Sequence, residues 1–295
     1  MTKPRIALVI GIVCISIFPV LVRLSLTPGL ISAFYRMAFA SAVIVPYVII
    51  NKQIKVPSRK MVLLSGLCGV IFGLDVGVWN IAIQGSSATQ ATLLTNLSPV
   101  WVGIGAFLFL KDKPLKNFWY GTVIALIGMV LLVGYQFFRN LEFDIPFLFA
   151  VLSGMLYAVY MLVSKYVLGE TEVVTFTTIS LVASTVALGL INILAKEPFT
   201  GFSNLGWIVL VIQGLICQLL AWLLISYATK HMRATRVSVS LLGQAILASI
   251  LAWIFLNETI TLQMIIGGLV LLLGIRITFY TKPLGLFRLR KKEKS

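Results

Sequence analysis

Charge is scarce in this chain, and acidic charge is scarcest. Charged residues make up 11% of the 295 positions, with 9 Asp and Glu against 24 Lys and Arg. A typical soluble domain carries about 25% charged residues, so this chain lacks the polar side chains to cover a water-facing surface. There is 1 histidine, His231, which leaves a metal site or a histidine acid–base pair without a second member. The three cysteines, Cys14, Cys68 and Cys217, stand far apart in apolar stretches. They show no metal or pairing pattern and read as small buried apolar residues. No Gly-rich phosphate loop ending in Lys-Ser/Thr is present, so the chain is not itself an ATPase. The acids are scattered rather than clustered, which counts against an enzyme. Neither a cofactor nor a metal is expected. The first apolar stretch has no small-residue cleavage site and reads as an uncleaved helix.

What is present is apolar sequence. Hydrophobic residues make up 59% of the chain, and the mean hydropathy is +1.03. They fall in blocks near the length that crosses a bilayer, at 6–26, 30–50, 61–84, 87–110, 118–136, 146–168, 173–195, 205–228, 234–256 and 261–281. Barrel strands would be about half as long and would alternate apolar with polar. The blocks do not alternate, so the fold class is an all-α integral membrane protein of ten transmembrane helices. The short breaks leave no room for a soluble domain. The net charge of +15 then reports orientation rather than nucleic-acid binding. With the N-terminus inside, every Lys and Arg falls on the cytoplasmic side except Arg23, Arg36, Arg139, Lys196 and Arg276. Both termini are therefore predicted cytoplasmic in a multi-pass protein of the plasma membrane. The basic tail around Arg288-Leu-Arg-Lys-Lys is expected to touch anionic lipid.

Polar residues inside such helices are costly against lipid and mark protein interiors or wet cavities. Asp75 is the one carboxylate deep in a predicted helix. It is read either as a group that binds a substrate amine or carries a proton, or as the partner of Arg36 in a structural ion pair. Arg36 takes a substrate carboxylate or neutralises Asp75. Trp79 and Asn80 follow Asp75. Asn96, Tyr157, Tyr160, Gln218, Trp222 and Gln244 complete a candidate substrate-binding set drawn from six helices. Pro19 and Pro99 interrupt the first and fourth helices and are candidate hinges for gating. Gly69, Gly73 and Gly77 lie four apart, a spacing that lets helices pack closely in lipid.

A shift of 146 positions lays residues 88–128 on 234–274 without a gap. Ala88-Thr89 meets Ala234-Thr235, Phe109-Leu110 meets Phe255-Leu256, and Gly121 and Gly128 meet Gly267 and Gly274. The first helix aligns with the sixth at a shift of about 142. An odd number of helices per copy forces the copies to cross in opposite senses, giving inverted five-helix repeats at 1–136 and 146–281, followed by the tail 282–295. Such repeats are a signature of secondary transporters, which bind substrate where the halves meet. The copies differ where a site would sit: Asp75 corresponds to Ala221, and Pro99 to Ala245. The glycine faces of the fifth and tenth helices either pack within the bundle or join two copies as a homodimer.

Leu97-Ser98-Pro99-Val100, with an apolar run and Lys-Asp-Lys-Pro after it, resembles the fourth-to-fifth-helix hallmark of the EamA-type drug/metabolite transporters. Ser86-Ser87-Ala88-Thr89-Gln90-Ala91 resembles that family's small-residue entry to the fourth helix, and Asp112 stands where the family more often has Glu. The resemblance covers nearly the whole chain. It implies ten helices in two inverted copies, and export or exchange of metabolites, often amino acids or related small polar compounds. The only residue role it carries over is that of Pro99. A channel or scaffold, and a lipid-modifying enzyme, are the alternatives. The topology is checked by cysteine labelling in a cysteine-free background: Thr2→Cys and Ser295→Cys should react with an impermeant reagent only from the cytoplasmic face.

Overall fold

The computed structural model describes residues 2–24, 26–51, 57–85, 93–110, 113–134, 144–257 and 259–280. The small-residue stretch 86–91, Asp112 and the basic tail lie outside the described residues. Among those described, the regular structure is helical, and eight helices are long and apolar enough to cross a membrane. In chain order these and two shorter apolar helices are α1 (Thr2–Val22), α2 (Gly29–Ile50), α3 (Arg59–Gly85), α4 (Leu93–Phe109), α5 (Lys116–Val133), α6 (Ile145–Glu170), α7 (Val173–Ala195), α8 (Asn204–His231), α9 (Ala234–Leu256) and α10 (Leu262–Thr278). Large apolar side chains such as Leu63, Phe109 and Leu194 point outward and are largely exposed, as suits a surface solvated by lipid.

Local chemistry sets the helix ends. Asp144 Oδ1 accepts from the Phe147 N–H and Pro146 opens α6, while Ser203 and Thr261 cap α8 and α10 in the same way. Lys196 and Asn257 end α7 and α9 in the left-handed conformation, at φ 56° and 54°.

Four of the helices are irregular. In α1 the turn opens at Ile17, two residues before Pro19, so the expected bend is present. In α4 the helix breaks at Asn96–Leu97, where the Leu97 and Val100 amides donate to the carbonyls of Leu94 and Leu97. The carbonyl of Thr95, which Pro99 cannot reach, lies against Gly154 of α6. In α9 the same kind of break occurs at Leu242–Gly243, where Gly243 and Ala245 donate to Ser240 and Leu242. That break has no proline. In α8, Gln213–Leu220 form a π-helical segment, a wide turn often found at functional sites.

Packing follows the small residues. On α3, a Cβ at Gly69 would overlap the Ser180 carbonyl, and one at Gly73 would come within 3.3 Å of Ala187 and Ser184, so the glycine stripe lies on α7. The Ser184 hydroxyl donates to the Gly69 carbonyl at 2.7 Å across this seam. The glycine faces of α5 and α10 meet each other within the bundle. Gly128 sits on the Leu271 amide and Gly267 carbonyl, and Gly274 on the Ala125 amide and Gly121 carbonyl.

Several of the described cations meet at one end. There Arg5 of α1 and Arg236 of α9 both lie over the Phe279 ring, Asn117 of α5 reaches the Tyr280 carbonyl, and Lys60 of α3 meets Tyr166 of α6. We call this the basic end. The helix starts and ends that meet there alternate along the chain, as an up-and-down bundle requires.

A direct test compares two glycines. Gly128→Ala pushes a methyl into the backbone of α10 and should cost about 1–3 kcal/mol. Gly66→Ala, with nothing within 4 Å of the new atom, should be neutral or stabilising by up to ~1 kcal/mol through helix propensity. Thermal unfolding in detergent reads both.

Candidate functional site

Asp75 is buried, 5% exposed, on the inward face of α3. Its Oδ1 accepts from the Ser153 hydroxyl of α6 at 2.5 Å. Beside it, Phe72 of α3, Tyr157 and Tyr160 of α6 and Trp222 of α8 form a ring cluster. Centroids are 4.6 Å apart for Phe72–Trp222, 4.8 Å for Phe72–Tyr160, 5.6 Å for Tyr160–Trp222 and 6.2 Å for Tyr157–Tyr160. Next to the rings is a cavity of about 10 Å³ whose wall includes Phe72, Tyr160, Gln218, Trp222, Thr177, Ser180 and Ser184. That is room for about one water. Gln218 Oε1 and Thr177 Oγ1 are buried without a hydrogen-bond partner. The π segment of α8 turns two amides to different neighbours: Gln213 accepts from Ser32 of α2 at 2.7 Å, and Gln218 faces the cavity.

The structure thus brings together Asp75, Tyr157, Tyr160, Gln218 and Trp222, five of the residues expected from sequence. Arg36 is close enough to Asp75 to interact electrostatically, but no ion pair joins the two. This corrects the paired reading. Asp75 takes a serine hydroxyl, and the Arg36 guanidinium lies over the Phe18 ring with its carbon 4.3 Å from the centroid. Trp79 packs on Phe18 rather than on the cluster, with centroids 6.4 Å apart. Asn80 turns back to donate to the Val76 carbonyl of its own helix at 2.8 Å and sits against Gly29. Asn96 and Gln244 are half-buried at the breaks of α4 and α9 and take no part in the ring contacts. Pro19 and Pro99 both stand just past a break.

Sequence reasoning passed over Ser153, Phe18 and the serines and threonines of α7. A lone serine in an apolar helix was the available signal for Ser153, but nothing local says which carboxylate it meets.

Two further features bound the site. At the basic end a larger cavity of about 320 Å³ is lined by Ala106, Leu110, Lys165, His231, Met232, Arg233, Ala234 and Thr235. Lys165 Nζ there donates to the carbonyls of Thr229 and Lys230, both at 2.9 Å, capping the end of α8. At the opposite end the Tyr35 hydroxyl donates to the Phe199 carbonyl at 2.5 Å. Its ring packs on Trp207, Phe34 and Phe39 at 5.0–5.7 Å, pinning α2 to the segment between α7 and α8.

Known proteins resemble this chain in sequence and fold. The model of the EamA-like transporter family matches residues 3–134 and again 145–280. A Bacillus subtilis protein named uncharacterized transporter YdfC is 26% identical, over 84% of this chain and 80% of its own. An S-adenosylmethionine uptake transporter of Rickettsia felis is 27% identical, over 53% of this chain and 52% of its own. One solved crystal structure has the same fold, with a TM-score of 0.81 at 16% identity, covering 94% of this chain and 97% of the other.

Removing the hydroxyl that serves Asp75 tests this geometry. Ser153→Ala leaves a buried carboxylate oxygen without its donor and should cost about 1–3 kcal/mol. Thermal unfolding should show the loss in wild-type protein and little of it in an Asp75→Ala background.

Proposed function

The chain belongs to the EamA-like transporter family, and from that premise we propose that it is a secondary transporter that exports or exchanges small polar metabolites bearing a protonated amine, amino acids and their relatives. It works by alternating access. The observation that carries the reading is the carboxylate of Asp75, held in the protein interior beside four aromatic rings. A carboxylate placed among helices without an ion-pair partner is costly. A cationic substrate group supplies the missing charge, and aromatic faces stabilise such a cation further. S-adenosylmethionine, in the name of the Rickettsia felis relative, is a compound of this kind, with an ammonium group on an amino-acid end.

The moving parts are read as two inverted five-helix copies, α1–α5 and α6–α10. Three observations support this. The family model matches twice. The seam between α5 and α10 is self-complementary under the 146-residue shift: Gly128 on Leu271 has its counterpart in Gly274 on Ala125. The breaks at Asn96–Leu97 and Leu242–Gly243 are related by that same shift. The basic end is assigned to the cytoplasm, where Lys and Arg are retained. The cavity of about 320 Å³ at that end is then the cytoplasmic approach, and the aromatic packing around Tyr35 closes the other side. A channel would need an open path, whereas the cavity beside the Phe72, Tyr160 and Trp222 rings holds about one water. An acid–base enzyme would need more titratable groups than Asp75 brings with it.

Counterflow into proteoliposomes loaded with amino acids and related amines is the test. Wild-type protein should exchange members of this set, and Asp75→Asn should reduce exchange to background while remaining monodisperse in detergent. Full exchange by that variant removes Asp75 from the mechanism. No exchange of any amine-bearing compound by folded wild-type protein overturns the substrate class.

A further inference from the structure

Arg36 is the second buried charge in the interior and the less satisfied of the two. It is 6% exposed, on α2. A guanidinium carries five N–H donors and no acceptor. Among the described residues none of these donors has a hydrogen-bond or ion-pair partner, and Nε is fully buried without one. Buried polar groups are almost always paired, so an orphaned guanidinium calls for an explanation.

Its surroundings give one. The group is covered by Phe18, whose ring centroid lies 4.3 Å from the guanidinium carbon. Phe18 is the first residue after the break at Ile17 in α1, and its own ring rests against Trp79, one turn beyond Asp75 on α3. Below Arg36, α8 makes its π turn, and Gly214 lets it approach the Arg36 carbonyl, where a Cβ would come within 3.2 Å. The backbone that carries Arg36 is therefore held tightly, while its charged head is held only by a ring. Asp75 lies within electrostatic range of this head yet bonds Ser153 instead. The fold keeps an acid and a base within electrostatic range with no direct bond between them.

We infer that Arg36 is a carboxylate subsite of the transport site, covered by Phe18 in this state, so that the substrate is a zwitterion whose cation meets Asp75 and whose carboxylate meets Arg36. This rests on the reading of Asp75 as the amine site. The cavity between the surrounding helices is too small for such a ligand, so a substrate enters only as rings move aside. Phe18 is placed to move, because the break at Ile17 frees it from the regular helix before it. A planar guanidinium exchanges a ring contact for two parallel charge-assisted hydrogen bonds to a carboxylate, a gain that an amine lacking the carboxylate cannot make.

The test uses matched probes in proteoliposome counterflow: amino acids, and the amines left when their carboxylate is removed. Wild-type protein should favour the amino acid by about tenfold or more, in line with charge-assisted bonds to one ion. Arg36→Gln should remove that preference by depressing amino-acid exchange while amine exchange stays within about twofold. Arg36→Lys, which keeps the charge but not the fork, should recover part of the preference. Phe18→Ala should lower the KM for amino acids and leave that for amines unchanged. A parallel loss of both probes in folded Arg36→Gln protein, or no change in either, overturns the assignment, as does a wild type without preference. Where Arg36→Gln does not fold, the Lys and Phe18 variants decide by the same criterion. Loss of both probes in Asp75→Asn alone leaves the amine site standing, so the two readings fail separately.

Discussion

A polar group in the middle of a bilayer has no water to fall back on, and this structure is arranged around that constraint. Backbone amides are satisfied within helices. Hydroxyls on the inner faces turn back to carbonyls of their own helix, as Ser65, Thr185 and Thr229 do to Met61, Leu181 and Ile225 at 2.7–2.8 Å. Others tie neighbouring helices together, as Ser41 and Thr185 do across α2 and α7 at 3.0 Å. Against this background several buried groups are left without a hydrogen-bond partner, Gln218 Oε1, Thr177 Oγ1 and Arg36 Nε among them, while Asp75 has the Ser153 hydroxyl but no ion pair.

Lipid tails are as apolar as leucine, so helices in a bilayer gain little from mere hydrophobic contact. Close approach has to come from shape. The glycines of α3, α5 and α10 supply it, bringing backbones together where any side chain would collide. The result is uneven stiffness. The seams of α3 with α7 and α5 with α10 are tight, whereas α1, α4 and α9 each contain a turn that departs from the α-helix. Both seams join α1–α5 to α6–α10, so a rocking of the two copies would have to pivot on them, with the broken helices taking up the change.

Much of this could be read from residues alone. Runs of apolar sequence located the helices to within a few residues, because length and hydropathy are local properties. The glycine spacing marked α3, α5 and α10 as close-packing faces, but which helix each one meets came only from the structure. Asp75 was legible because one carboxylate among hundreds of apolar atoms is conspicuous. What could not be read was who faces whom across helices. One of the two readings of Arg36, that it neutralises Asp75, rested on charge alone. The structure shows Ser153 and Phe18 in those roles, and neither carries a signal that names its partner. The π turn of α8 was equally hidden, since nothing in Gln213–Leu220 departs from an ordinary helical pattern.

The break in α9 has a consequence for descent. Pro99 in α4 invites the view that proline makes the kink, yet α9 bends at the corresponding place with Ala245 where the proline would be. If the two halves come from one duplicated ancestor, the bend is the inherited character and the proline an ornament that either copy can lose. The carboxylate is the opposite case: Asp75 faces Ala221 in the alignment, a difference that no shared backbone requires. On that descent, the ancestral shape would be kept in both halves while the chemistry at this position differs between them.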